Sequence, residues 1–220
     1  MPIIVSFISQ KGGVGKSTLA RALAAVATHV FRVRIADLDA KQGTVSEWQK
    51  IRQANPAHPS CEVVDYASVE DALAASQDID LLICDTPAGA TRQTLDLADA
   101  SDLVVQPTGA SADDLRPAVL LFHELIKAGI AREKMVAALC RTMSDTEEAA
   151  ARHYVESDDF AVLPGSIRER PTYREAQNRG AAITETRAQH LNERAEALIE
   201  ALLLVVSHAI KLRGEAAGAA

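Results

Sequence analysis

The sequence has few cysteines and no long apolar run, and each absence removes a class of protein. Cys61, Cys84 and Cys140 stand far apart, with no CxxC pair and no cysteine–histidine cluster, so they read as reduced thiols in or near the core. The six histidines, at positions 29, 58, 123, 153, 190 and 208, show no metal-ligand spacing either. No segment approaches the roughly 18 consecutive apolar residues of a membrane span. The opening segment MPIIVSFISQKGG lacks the basic region and small-residue cleavage site of a signal peptide, and reads as a short buried strand running into a loop. There is no internal repeat, low-complexity block or linker. The expectation is one cytoplasmic domain over residues 1–213, with GEAAGAA (214–220) as a disordered tail.

What is present begins with composition. The chain has 220 residues, 48% of them apolar, enough for a substantial single core. Its net charge of −7 argues at first against nucleic acid. The charge is uneven, however. Residues 165–220 hold eight Lys/Arg against seven Asp/Glu, whereas residues 1–164 hold fifteen against twenty-three.

Strand-like apolar runs at 3–9, 31–36, 81–84, 103–106, 135–140 and around 161–163 alternate with helix-period stretches at 16–27, 43–54, 69–75, 91–98, 113–128 and 146–157. CEVVDY (61–66) adds an edge strand, and helices near 172–179 and 191–212 close the chain. Continuous apolar strands separated by amphipathic helices predict an α/β fold: a doubly wound, mostly parallel sheet with helices on both faces.

The most informative segment is QKGGVGKST, residues 10–18. It follows one expected strand and opens one expected helix, the context a phosphate-binding loop needs. Gly12, Gly13 and Gly15, with Val14 between them, permit tight or left-handed backbone, so that successive N–H groups converge on phosphate oxygens. The helix adds the positive end of its dipole. Lys16 supplies a point charge for the β- and γ-phosphates, the Ser17 hydroxyl is placed to ligate Mg²⁺, and Thr18 ends the nucleotide-binding run. Two acidic segments, ADLDAKQG (36–43) and LLICDTPAG (81–89), lie at strand ends, where open α/β sheets bind ligands. In the second, an apolar strand aims the Asp85 carboxylate at Mg²⁺ through water.

KGGVGKST resembles the deviant Walker A motif of the ParA/MinD superfamily of P-loop ATPases, with Gln10 where the usual loop has glycine and a second lysine, Lys11, after it. That resemblance implies that Lys11 reaches across a nucleotide-sandwich homodimer to the partner's ATP, as an arginine finger does. ADLDAKQG is similar to the family's DxDPQG segment, with Ala40–Lys41 altering its middle. It implies that Asp39 orients the attacking water and Asp37 supports the Mg²⁺ shell. DTPAG resembles DTPxG and implies a Gly89 N–H close to the γ-phosphate. Arg141 falls where the family places Asn-Arg against adenine, with Cys140 replacing the Asn. IRERPTYREAQNRG (167–180) looks like the ParA stretch in which Ile-Arg-x-Arg precedes an Arg-Glu-Ala helix.

The resemblance covers roughly residues 1–200 and is most specific in the first 90. The length is similar to that of small ParA proteins without a helix-turn-helix extension. It implies ATP and Mg²⁺ as cofactors, non-specific binding of double-stranded DNA at the nucleoid, and a ParB-like adaptor that stimulates hydrolysis. Arg168, Arg170 and Arg187 lead the DNA-facing candidates, followed by Arg174, Arg179 and Arg194. Alternatives are a MinD-like membrane-associated regulator, positioning of a cargo such as a carboxysome, and a dethiobiotin-synthetase-like ligase. The final helix argues against the membrane, because Glu193, Glu196 and Glu200 precede its only late cations, Lys211 and Arg213. Lys11 argues against the ligase, which needs no lysine in trans.

Overall fold

The computed structural model describes residues 1–39, 42–55, 57–89 and 91–218. Ala40 and Lys41, in the middle of the first acidic segment, lie outside the described residues, as do Ala219 and Ala220 of the expected tail.

The chain alternates as its apolar pattern demands: β1 (Ile3–Phe7), α1 (Lys16–Ala27), β2 (Val33–Asp37), α2 (Thr44–Gln53), β3 (Glu62–Asp65), α3 (Val69–Ala74), β4 (Leu81–Asp85), α4 (Arg92–Ala100), β5 (Leu103–Thr108), α5 (Ala112–Lys127), β6 (Met135–Thr142), α6 (Asp145–Glu156), β7 (Ala161–Val162), β8 (Ile167–Arg168), α7 (Pro171–Gln177) and α8 (Gln189–Gly218). The strands lie in the order β3-β2-β4-β1-β5-β6-β7, with β8 also against β6, and every described pairing is parallel. A parallel sheet needs helical crossovers, and they cover both of its faces.

Strand side chains divide by the two-residue period. Ile3, Val5 and Phe7 of β1 join Ile35, Leu81 and Ile83 on the face covered by α1, α2 and α8. Ile4, Ala36, Leu82, Cys84 and Val104 meet α3, α4, α5 and α6 on the other. The described strands near the middle are apolar on both faces for this reason. All three cysteines are buried and free.

The last helix begins two residues before its expected start and extends through Gly218, so 214–218 have helical backbone rather than the expected disorder. Leu191, Ala195, Leu198, Ile199, Leu202 and Val206 recur at helical spacing and pack into the core. None of the described helices is long and apolar enough to cross a membrane.

The order reverses at β1, whose neighbours are β4 and β5. Ligands of open α/β sheets bind at such a switch point, beyond the carboxyl ends of the strands. The phosphate loop leaves β1 there.

Candidate nucleotide-binding cleft

Register fixes the chemistry of this edge. Phe7, the last residue of β1, stands beside Asp85 of β4, and Asp85 beside Asp37 of β2. Three adjacent strand ends therefore present the phosphate loop and two carboxylates side by side.

Between Ser9 and Lys16 the loop turns through Gly13 (φ 74°) and Gly15 (φ 115°), left-handed angles that favour glycine. Gly15 has a second reason to lack a side chain. A Cβ there would stand 3.1 Å from Cys140 Sγ. Lys16 opens α1 and is only 7% exposed. Its ammonium donates to Ser9 Oγ at 3.1 Å, and burial lowers its pKa against the opposing pull of Asp85 and Asp39. It is a cation held ready for an anion.

Asp85 is its counterpart. Burial pushes its carboxyl up to about 7, despite the Ser17 hydroxyl, Lys16 and Arg21 nearby, and its Oδ1 has no hydrogen-bond partner. A buried polar atom without a partner is uncommon and calls for a ligand. Asp37 is used differently. Its oxygens accept from the N–H groups of Asp39 (3.0 Å) and Val45 (3.3 Å), so it shapes the turn that carries Asp39, although burial raises its pKa as well.

A cleft of about 440 Å³ opens over these strand ends, and Asp85 and Asp37 lie buried behind its lining rather than on it. Its lining includes Gly12, Gly13, Gly15, Lys16, Ser17, Thr18 and Asp39 from the expected site. Cys140 and Arg141 lie on the same lining. Arg141 has the left-handed φ of 59°, and its guanidinium spans from Glu169 (2.9 Å) to the Gly13 carbonyl (3.3 Å). Val14, within the loop, is buried.

The structure places several of the remaining expected residues in other settings. The Gly89 N–H donates to the Ser9 carbonyl at 3.0 Å, which ties the DTPAG turn to the phosphate loop. Arg168 is 8% exposed and bonded to Thr142 and Asp145, so it cannot belong to an outward DNA-facing patch. Arg170 is exposed but lines the cleft, leaving Arg187 as the member of that trio exposed away from it. Arg194 is engaged by Glu148 at 2.7 Å, whereas Arg174 and Arg179 are exposed.

Lys11 does not line the cleft. Its ammonium bonds Asp114 Oδ1 (2.6 Å) and the Asp113 carbonyl (3.0 Å) at the start of α5. That carbonyl is available because Pro117, four residues on, has no N–H to return.

Sequence reasoning missed Arg21, Thr44, Thr86, Tyr173, Arg174 and Gln177 as lining residues. Thr86 carried a signal inside DTPAG, and Tyr173, Arg174 and Gln177 lie in the IRERPTYREAQNRG stretch, whereas Arg21 and Thr44 carried none. The result is a strongly cationic cleft in an acidic protein: Lys16, Arg21, Arg141, Arg168, Arg170 and Arg174 against Asp39 and Glu169. The fit to a magnesium-bound nucleotide rests on the glycine cradle, the buried lysine and the unpartnered Asp85 oxygen. Mg²⁺ takes few protein ligands and keeps waters and phosphates, so Ser17 and Asp85 are the side chains that would face it.

The fold and cleft define a P-loop nucleotide-binding protein. Residues 5–183 match the family model of the CobQ/CobB/MinD/ParA nucleotide-binding domain, and the chain belongs to that family. ATP binding and hydrolysis are the general chemistry of this class. None of the curated proteins matches the chain. Among solved structures it is similar to an aspartate-to-alanine variant of Cyanothece McdA in complex with ATP, with 19% identity, a TM-score of 0.72, and 91% of this chain and 96% of that one covered. It is also similar to MinD of Aquifex aeolicus in a MinC:MinD cell division complex, with 16% identity, a TM-score of 0.74, and 91% and 96% covered. A putative plasmid partition protein of Borrelia burgdorferi bound to AMPPNP gives 17% identity, a TM-score of 0.72, and 92% and 99% covered.

Proposed function

We propose that this chain is a ParA-type ATPase that closes into a homodimer on ATP, binds double-stranded DNA without sequence preference, and opens after hydrolysis to position a cargo. The observation that carries the reading is the contrast between its two loop lysines. Lys16 is buried at the strand ends beside an unpartnered carboxylate, whereas Lys11 stands outside the cleft on the rim of α5. A cation outside its own cleft is suited to a partner's phosphates.

Bound Mg-ATP supplies the phosphoryl group and a divalent charge. Lys16 neutralises the terminal phosphates, Ser17 and Asp85 hold the metal shell, and Asp39 orients water for in-line attack. Lys11 of the partner subunit adds the charge that completes the site. Hydrolysis is slow until a ParB-like adaptor engages the dimer, and the protein acts in the cytoplasm at the nucleoid. DNA segregation is the favoured cargo role. Arg179 and Arg187, exposed and outside the cleft, are the DNA-facing candidates that remain.

The test is fluorescence anisotropy of a random-sequence duplex with ATP or ADP. Binding is expected with ATP only, weakening steeply between ~50 and ~200 mM salt as phosphate contacts are lost. Replacing Arg179 and Arg187 together by Glu weakens it without changing ATP affinity. A second reading, MinD-like membrane association, rests on Leu204 and Ile210, exposed on α8. It replaces the first if ATP brings no DNA binding at the lower salt but brings co-sedimentation with anionic vesicles.

A further inference from the structure

Arg21 is a cleft cation that belongs to none of the motifs above. It lies one helical turn beyond Ser17 on α1 and is only 7% exposed. Burying a guanidinium is costly unless it is well paired. Asp85 and Asp37 act on Arg21 through space, and its Nε has no hydrogen-bond partner. Its bonds go instead to neutral acceptors on two other elements. One N–H donates to Gln177 Oε1 of α7 at 3.0 Å, an oxygen that also accepts from Thr18 Oγ1 at 3.3 Å. Another donates to the carbonyl of Thr44, the first residue of α2. The guanidinium carbon sits 5.5 Å from the centre of the Trp48 ring.

Thr44 ends the turn that carries Asp39. Asp37 grips that turn at the Asp39 and Val45 N–H groups, and the Asp39 carbonyl accepts from Gln42 and Gly43, both at 2.9 Å. Its far end is therefore tied by Arg21 to the helix that begins at the phosphate loop. We propose that Arg21 is a positioning residue for hydrolysis: by fixing the Thr44 end of the turn to α1, it sets where the Asp39 carboxylate stands over the cleft. This rests on the reading that Asp39 orients the attacking water. Lysine cannot serve, because one ammonium on a shorter reach does not span Gln177 and Thr44.

The experiment compares Arg21→Met, Asp39→Ala and the double variant with the wild type. Methionine keeps an apolar stem against Trp48 and removes both bonds. In Arg21→Met, kcat falls by about 10- to 100-fold, the scale of a small misplacement of a catalytic group. KM for ATP changes by less than about 3-fold, because Lys16 and the glycine cradle, the groups assigned to the phosphates, stay in place. In the Asp39→Ala background the same replacement adds less than about 2-fold, since both act through one group. In nucleotide-free protein, amide hydrogen exchange at residues 42–45 quickens. An unchanged kcat, a raised KM at constant kcat, or a full further loss in the double variant overturns the proposal. If Arg21→Met does not fold, Arg21→Lys replaces it with the same expectations. Failure of the underlying reading is distinct: Asp39→Ala then hydrolyses ATP at the wild-type rate and the proposal falls with it, whereas failure of Arg21 alone leaves Asp39→Ala slow.

Discussion

Asp85 shows at the scale of one residue how a site is held at the expense of stability. Its carboxyl, ordinarily near 4, is pushed up to about 7, chiefly by burial. Between those values the unfolded chain has released its proton and the folded chain has not. Each rise in pH across that window therefore weakens the nucleotide-free fold, and the penalty is complete above about pH 7. Asp85→Asn keeps the shape without the charge. Its melting temperature, measured without nucleotide, is expected to match the wild type near pH 4 and exceed it by several degrees near pH 8, while Mg²⁺-dependent ATP hydrolysis is lost. Equal melting curves at both pH values would show that the buried charge carries no such penalty.

At the scale of elements, the helix α2 and the turn at Gly180 show what the sequence conceals. Gly180 has a φ of 75°, and a Cβ on it would stand 2.5 Å from the Arg52 backbone nitrogen. Arg52 donates to the Gly180 carbonyl at 3.0 Å and pairs with Glu185 at 2.7 Å, and Trp48 Nε1 donates to the Ala181 carbonyl at 3.1 Å. A methyl group at Gly180 meets backbone that cannot step aside. Gly180→Ala is expected to cost about 2–4 kcal/mol, combining left-handed strain with displacement of α2. Gly129→Ala, equally left-handed at φ 95° but facing open space, loses only about 1–2 kcal/mol. Chemical denaturation of the two variants decides this, and equal losses would remove the clash from the account.

The strands, most helices and the phosphate loop were legible because their signals are local: an apolar run, a 3.6-residue period, a glycine cluster before GKS. Asp85 was legible because an apolar strand points at it. Arg21, Thr44 and Gln177 were not, because they come from three elements that only the fold brings together. Arg168 was misread for a related reason. Its charge suggested an outward face, but β8, two residues long and unforeseen, turns it inward onto Asp145 of α6. The end of α8 escaped because its alanine-rich tail has helix-forming residues but no apolar periodicity.

At the scale of the whole molecule, the cleft gathers a positive charge that the net charge conceals. A net charge of −7 coexists with six cations on one cleft, and the rim lysine Lys11 waits on Asp114 at the edge of that cleft's loop. The account stands on Lys11 acting on a second copy's nucleotide. Sedimentation velocity with Mg-ATP or Mg-ADP, on the wild type and on Lys11→Ala, tests that most directly, with ATP affinity of both measured in parallel. The account predicts a wild-type dimer with ATP and a monomer with ADP, and a Lys11→Ala variant that binds ATP yet stays monomeric. An ATP-dependent dimer of Lys11→Ala equal to that of the wild type, or a wild type that stays monomeric with ATP bound, would contradict it.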